Sequence, residues 1–289
     1  MMKTIIITGA TDGIGKHLAK KLAAEGHHLI IHGRNPQKLE TTVTEIMDVS
    51  PNATLSAYLA DFSKMADVYA FASSIQQDFD RIDVLINNAG LFAGSERLAT
   101  AENIEHTFML SVQVPYILTT ELRPLLETAP EGRVINTSSY MHHFASVKDL
   151  DFGMEKDYSA KQAYNNAKLY LIWLTCYQAQ QFKQEGSNIT INAYHPGLIA
   201  TNLGNTNGKK KETKSLVSRV VKSVYQSLDE GIETGYFLAL SNQVAAISGA
   251  YFDTKTIKRV SYKGYNDEKA KALLAYCDQK IFDYKESLL

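Results

Sequence analysis

The chain has 289 residues, 45% of them hydrophobic and 21% charged, with a formal net charge of −1. That balance suits a folded globular chain with a substantial core, and it leaves no basic field of the kind that draws nucleic acid or an anionic membrane surface. Cys176 and Cys277 stand apart with no His or Cys at ligand spacing, so neither a disulfide framework nor a metal site is suggested, and a reducing, cytoplasmic setting is expected. Met1 to Thr8 runs directly into a glycine turn and reads as a strand rather than a signal peptide, and no run is long enough to span a bilayer.

In chain order, apolar runs at Thr4–Thr8, Leu29–His32, Thr54–Ala60, Val84–Asn87, Arg133–Thr137, Ile189–Tyr194 and Gly249–Phe252 predict short strands buried on both faces. Between them, helical periodicity predicts helices from Ile14, over Pro36–Ile46, Lys64–Phe79, Ile104–Leu126, Ser159–Glu185 and Glu230–Leu240, and over Asn266–Glu286. Such alternation argues for one doubly wound α/β domain of the Rossmann type over 1–289, with a mainly parallel sheet of about seven strands and ligands at the carboxyl ends of those strands. Three loops after strands, about 91–99, 140–158 and 203–214, are expected to shape a substrate pocket. Asp149–Lys156 reads as an inserted surface loop, and Lys209, Lys210 and Lys211 as a solvated charge run or, with Gly204 and Gly208 as hinges, a lid. The helix from Tyr164 carries Leu169, Tyr170, Leu171, Ile172, Trp173, Leu174 and Tyr177, more apolar surface than the sheet alone requires. A homodimer seam and coverage by the C-terminal helix explain it equally well.

Two separated motifs carry chemistry. Gly9-x-x-x-Gly13-x-Gly15 follows the first strand and opens a helix, the context in which backbone amides and a helix N-terminus receive a pyrophosphate. Tyr164 and Lys168, four apart, share one helical face. A phenol has an ordinary pKa of about 10, and an adjacent ammonium is expected to lower it into a range useful for proton transfer.

Over essentially its full length the chain resembles the short-chain dehydrogenases/reductases, through Thr8-Gly9-Ala10-Thr11-Asp12-Gly13-Ile14-Gly15, Asn87-Asn88-Ala89-Gly90, Thr137-Ser138-Ser139, Tyr164-Asn165-Asn166-Ala167-Lys168 and His195-Pro196-Gly197-Leu198-Ile199-Ala200-Thr201. Tyr140-Met141-His142-His143 and the insertion with Asp149-Leu150-Asp151 resemble the retinol-dehydrogenase and WW-domain-oxidoreductase branch. The resemblance implies that Ser139 would bond the substrate oxygen, Tyr164 would move its proton, and Lys168 would hold the nicotinamide ribose. It also implies that Gly9, Thr11, Asp12, Gly13, Ile14 and Gly15 would form the pyrophosphate turn and that Asp61 and Phe62 would meet the adenine. Asn88, Ala89 and Gly90 would line the adenosine ribose, and Pro196, Gly197, Ile199 and Thr201 would receive the carboxamide and phosphate. Asn87 has a plainer reading as a tie between strands.

His32-Gly33-Arg34-Asn35 carries no acid to bind a ribose diol, and Arg34 can grip a phosphate, so NADP is expected over NAD; Asp12 tempers this, since many NADP users of the family have a base in the glycine turn. Ser111 stands where the family usually has an asparagine that positions a water beside the lysine, so a weakened or displaced proton relay is expected. Leu91, Phe92 and Tyr140 to Phe144 suggest a small hydrophobic carbonyl or alcohol substrate, with His142 and His143 as pocket wall or structural groups. The leading expectation is thus an NADP-preferring oxidoreductase acting on a CH–OH or C=O group. Its rival is a catalytically silent dinucleotide sensor or scaffold. A sugar-nucleotide epimerase is disfavoured because no separate C-terminal substrate domain is evident.

Overall fold

The isoleucine triplet that opens the chain explains the layering. In the computed structural model, which describes residues 2–92, 94–147, 150–197, 227–258 and 265–289, strand β1 (Thr4–Ile7) lies at the centre of the sheet. Ile6 enters one hydrophobic cluster while Ile5 and Ile7 enter the other. Alternate side chains point to opposite faces, so a strand apolar at every position must be covered twice. β2 (His28–Gly33) and β4 (Val84–Asn87) divide in the same way, with Ile30 and Leu85 on the first face and Leu29, Ile31, Val84 and Ile86 on the second. Each such side chain contributes roughly 1.5–3 kcal/mol by leaving water.

With β3 (Leu55–Leu59), β5 (Arg133–Thr137), β6 (Thr190–His195), β7 (Tyr251–Asp253) and β8 (Thr256–Ile257), the sheet has eight strands in the order β3-β2-β1-β4-β5-β6-β7-β8. Among these described strands only β7 and β8 pair antiparallel. The short edge strand β8 was not expected from sequence; two exposed residues carry no periodicity to read. The order reverses between β1 and β4, which opens a crevice at their carboxyl ends. Helices α1 (Gly13–Ala24) and α2 (Pro36–Val49) cover one face with Leu18, Leu22, Leu39 and Ile46. On the other face lie α3 (Met65–Asp78) and the long α7 (Ala160–Gln184).

The expected helix Ile104–Leu126 is broken: α4 (His106–Phe108) passes through a π-helical turn, Met109–Gln113, into α5 (Val114–Glu121) and then α6 (Arg123–Glu127). Pro115 and Pro124 fall in the first turns of α5 and α6, where a missing N–H does least harm. The segment read as a surface loop is also different. Residues 148 and 149 lie outside the described residues, but Phe152 and Met154 are buried, and the Phe152 ring packs against Phe108, Tyr170 and Tyr276. An isolated Phe amid polar neighbours leaves no periodic trace of such a plug.

The C-terminal helix, one of the two explanations for the apolar circumference of α7, packs against it. Helix α8 (Leu228–Leu240) packs on the α1 face, and α9 (Asp267–Glu286) packs Leu273, Leu274 and Cys277 into the cluster that holds Leu169, Tyr170, Trp173 and Leu174. Gln113 Nε2 donates to the Cys277 carbonyl at 3.1 Å, and the Tyr116 hydroxyl donates to Asp278 at 2.6 Å. The chain covers this face by itself. Both cysteines are free, and no helix among the described residues is long and apolar enough to cross a membrane.

Candidate active site

The glycine turn is held by contacts that only glycine permits. Gly9 and Gly13 have φ of 66° and 50°, values an L side chain resists. A Cβ on Gly9 would come within 2.9 Å of the Ala89 Cα, and one on Gly15 within 2.5 Å of Asn88 Nδ2. The Thr11 methyl fills the space a side chain at Gly33 would need, and Ile14 points into the core. Thr8 Oγ1 accepts the amides of Asn88 and Ala89 at 2.9 and 3.0 Å, while Asn88 Nδ2 donates to the Thr8 and Gly9 carbonyls at 3.0 and 3.2 Å. The Asn88 side chain is thus a brace between β1 and β4. Asn87 is one too, donating to Asn136 Oδ1 at 2.9 Å on the neighbouring strand.

A further support was invisible in the sequence. The Gly9 amide donates to His32 Nδ1 at 3.1 Å, which leaves the ring proton on Nε2, 2.9 Å from the Ala60 carbonyl. Burial drives the His32 pKa down to about 4, so the imidazole stays neutral and keeps this arrangement. Its ring stacks on buried Phe62 at 3.7 Å.

Asp12 caps α1, its Oδ1 accepting the Gly13 amide at 2.8 Å. Its Oδ2 lies 2.9 Å from Lys38 Nζ on α2. The first turn of α1 itself holds no acid, and the Asp12 carboxylate at its N-cap is paired with Lys38. Lys38 went unnoticed in the sequence, where nothing connects it to the glycine turn. Arg34 is exposed just past β2. Asp61 has its Oδ1 bonded by the Ser63 amide and hydroxyl at 3.1 and 2.9 Å. Burial pushes the Asp61 pKa up, but those bonds and the charges of Arg34 and Lys64 hold it below the ordinary value.

The second group gathers at the ends of β5 and the start of α7. Ser159 caps α7, and Tyr164 and Lys168 fall one turn apart near its start. Tyr164 is buried, with the Ser139 side chain near enough to favour its phenolate. The Ser139 hydroxyl oxygen also accepts the Met141 amide at 3.3 Å. Lys168 Nζ donates to the Thr137 carbonyl at 2.9 Å and lies 5.7 Å from the Tyr164 ring centre. Ser138 holds the helix from beneath, its hydroxyl donating to the Lys168 carbonyl at 2.9 Å. Ser111, carried inward by the π-helical turn, has a buried hydroxyl with no hydrogen-bond partner among the described residues. A Cβ on Gly90 would stand 3.5 Å from Lys168 Nζ and 4.0 Å from Ser111 Oγ, so bare backbone separates these two groups.

The electrostatics differ from the sequence expectation at one point. Burial raises the Tyr164 pKa and the nearby Ser139 side chain offsets only part of that, so the phenol lies above its ordinary value rather than below it. Burial also brings Lys168 down to about 8. Desolvation is the largest influence on both groups.

Leu91 and Phe92 are half-buried, with the Phe92 ring 5.2 Å from that of Tyr164. Tyr140 and Phe144 are exposed. His142 is fully buried, with Nδ1 2.7 Å from the Ser139 carbonyl. The turn at Pro196 and Gly197 stands beside β5, but Ile199, Thr201 and the loop 203–214 lie outside the described residues.

The model of the short chain dehydrogenase family matches residues 3–212. Human retinol dehydrogenase 13 is 30% identical over 277 residues, covering 94% of this chain and 82% of that protein. The chloroplastic short-chain dehydrogenase TIC 32 B of Brassica napus is 31% identical over 257 residues, covering 86% and 79%. Among solved structures, a short-chain dehydrogenase from Sphingobium yanoikuyae in complex with NADPH superposes with a TM-score of 0.60 at 25% identity, covering 81% of this chain and 83% of that one. A glycine turn at the switch of a doubly wound sheet, with a serine, tyrosine and lysine gathered beside it, accords with that match: the chain belongs to the short-chain dehydrogenase family.

Proposed function

We propose that the protein transfers a hydride between NADP(H) and a hydrophobic aldehyde, ketone or secondary alcohol. The observation that carries this reading is the meeting of Ser139, Tyr164 and Lys168 at the carboxyl ends of the strands, beside the Gly9–Gly15 turn, with Ser139 near enough to Tyr164 to influence its phenol.

The residues present fit a dinucleotide. The α1 N-terminus would take the pyrophosphate with Gly13 and Gly15, and Asp61 and Phe62 the adenine. Lys168 is buried, and its one hydrogen-bond acceptor among the described residues is a carbonyl. An ammonium has three donors, so two remain for a ribose diol. Arg34, and Lys38 if drawn from Asp12, would meet a 2′-phosphate; that, and NADPH in the Sphingobium relative, supports NADP over NAD. The bound nicotinamide would supply or accept the hydride.

The side chains of this chain would handle the oxygen. Ser139 and Tyr164 would aim two O–H donors at a carbonyl oxygen, stabilising it more as negative charge builds than at rest. Tyr164 would then release its proton to that oxygen. The buried Lys168 ammonium would favour the phenolate so formed. A phenol held above its ordinary pKa is protonated near neutrality, the form that reduction needs. Phe92, Tyr140 and Phe144 would present apolar and aromatic surface to the substrate, in keeping with a relative named for retinol.

The test is a panel of hydrophobic aldehydes, ketones and alcohols run with NADPH and NADH, on the wild type and Tyr164→Phe. Turnover that prefers NADPH and falls by a factor on the order of 100 or more in the variant supports the reading. The unpartnered Ser111 hydroxyl favours one rival, a coenzyme-binding sensor. Tight NADPH binding with no turnover on any substrate, unchanged by Tyr164→Phe, would establish that rival instead.

A further inference from the structure

Behind the candidate active site, three imidazoles and two phenols pack together. His142 and His143 have ring centres 4.0 Å apart, Tyr251 lies 4.8 Å from His142, and Tyr140 lies 4.8 Å from His143. His195, the last residue of β6, stacks near Tyr251 at 6.1 Å and approaches Tyr140 at 5.9 Å. Its two nitrogens face different tasks. Nδ1 accepts the Gly197 amide at 3.0 Å. Nε2 lies 3.1 Å from Asp253 Oδ1 on β7, close enough for a charge contact but off the line of a well-formed hydrogen bond. Gly197 has φ of 89°, a conformation that glycine alone adopts freely.

A ring nitrogen that accepts an amide N–H carries no proton, so the tautomer is fixed with hydrogen on Nε2, toward Asp253. We propose that His195 is a positioning residue: as a neutral imidazole braced by Asp253, it fixes through Gly197 the turn that receives the nicotinamide end of the coenzyme. The inference rests on the dinucleotide reading above. A proton on Nδ1 would set two donors against each other and release the Gly197 amide, so the turn is held only while His195 is neutral.

The groups facing the ring agree with that state. Asp253 on β7 favours the charged form, while burial and His143 on the turn after β5 oppose it. His142, itself held neutral by burial, disfavours a second charge beside it, and Tyr140 and Tyr251 are phenols, that of Tyr251 kept protonated by burial. Burial is the largest influence, and the His195 pKa lies below its ordinary 6.5.

Two variants separate the acceptor from the ring. In His195→Asn the amide oxygen takes the place of Nδ1 and can still accept the Gly197 N–H. In His195→Leu a methyl stands there instead. NADPH binding is titrated by coenzyme fluorescence on the full chain from about pH 5.5 to 8, with circular dichroism to confirm folding. Losing one hydrogen bond that orders a binding turn is expected to weaken NADPH by about tenfold in His195→Leu at about pH 8, while His195→Asn stays within about threefold of wild type. The wild type is expected to lose affinity on the acid side of the ordinary 6.5, as the pH falls through the lowered His195 pKa, and His195→Asn to show no such loss. Equal affinity in wild type and His195→Leu would overturn the proposal, as would the same acid-side profile in wild type and His195→Asn. The second comparison decides the matter if the leucine variant does not fold. A wild type that binds neither NADPH nor NADH would overturn the dinucleotide reading itself, and this inference with it. Normal binding with either of the adverse comparisons overturns the inference alone.

Discussion

Lys168 is the most costly residue of the site for folding, and replacing it with methionine measures that cost. Its side chain is buried, and burial brings its pKa from the ordinary 10.5 down to about 8. At about 1.4 kcal/mol per tenfold in the proton equilibrium, holding the ammonium there costs the folded state about 3 kcal/mol at neutral pH. Methionine has a similar unbranched length and no charge, but it leaves the Thr137 carbonyl without its 2.9 Å donor, a loss of about 1 kcal/mol. Lys168→Met should therefore be more stable than wild type by about 2 kcal/mol at neutral pH, or about 5 °C in melting temperature. The pH dependence has a definite sign. A lysine whose pKa is lower in the folded state binds fewer protons there than in the unfolded chain, so wild-type stability rises as the pH climbs from about 8 toward 10.5. At about pH 9.5 most of the penalty is gone, and the advantage of the variant should shrink nearly to zero. Thermal melts of both proteins at about pH 7 and 9.5 test this. A variant less stable than wild type, or an advantage that does not change with pH, would refute the idea that Lys168 is held charged against its burial.

The same geometry makes other outcomes measurable. Ser111→Asn lengthens the reach of an unpartnered buried group toward Lys168 and should keep or raise turnover; a collapse in rate with intact coenzyme binding would show that serine is required there. Arg34→Asp places an acid at the end of β2 and should move the NADPH-to-NADH preference by about tenfold or more toward NADH, read as the ratio of kcat/KM values; an unchanged ratio would leave Lys38 as the cation that matters. Gly15→Ala forces a methyl onto the Gly9 carbonyl and Asn88, and should cost about 1–3 kcal/mol in urea unfolding together with coenzyme affinity, whereas a neutral effect would mean that the turn opens readily.

What could be read from the sequence and what could not divide along a physical line. The strand cores, the glycine turn and the Tyr164–Lys168 pair were legible because each depends on residues close in sequence: alternating burial, positive φ at Gly9 and Gly13, one helical turn between two side chains. The supports were not, because each spans two or more strands and many residue types could supply it. His32 reaches the Gly9 amide from β2, Lys38 reaches Asp12 from α2, and Asp253 reaches His195 only because β7 pairs beside β6 in register. The π-helical turn was hidden for the opposite reason, since Met109–Gln113 is as apolar as the helix around it and nothing in its composition marks the extra residue per turn. The pKa of Tyr164 shows how far this matters for function. Sequence places a cation one turn away and implies a lowered value, yet the burial of the phenol, with the Phe92 ring against it, decides the sign, and it decides it upward. A candidate pair can thus be singled out from spacing together with the motifs around it, while the direction in which its phenol is poised depends on how deeply the fold buries it.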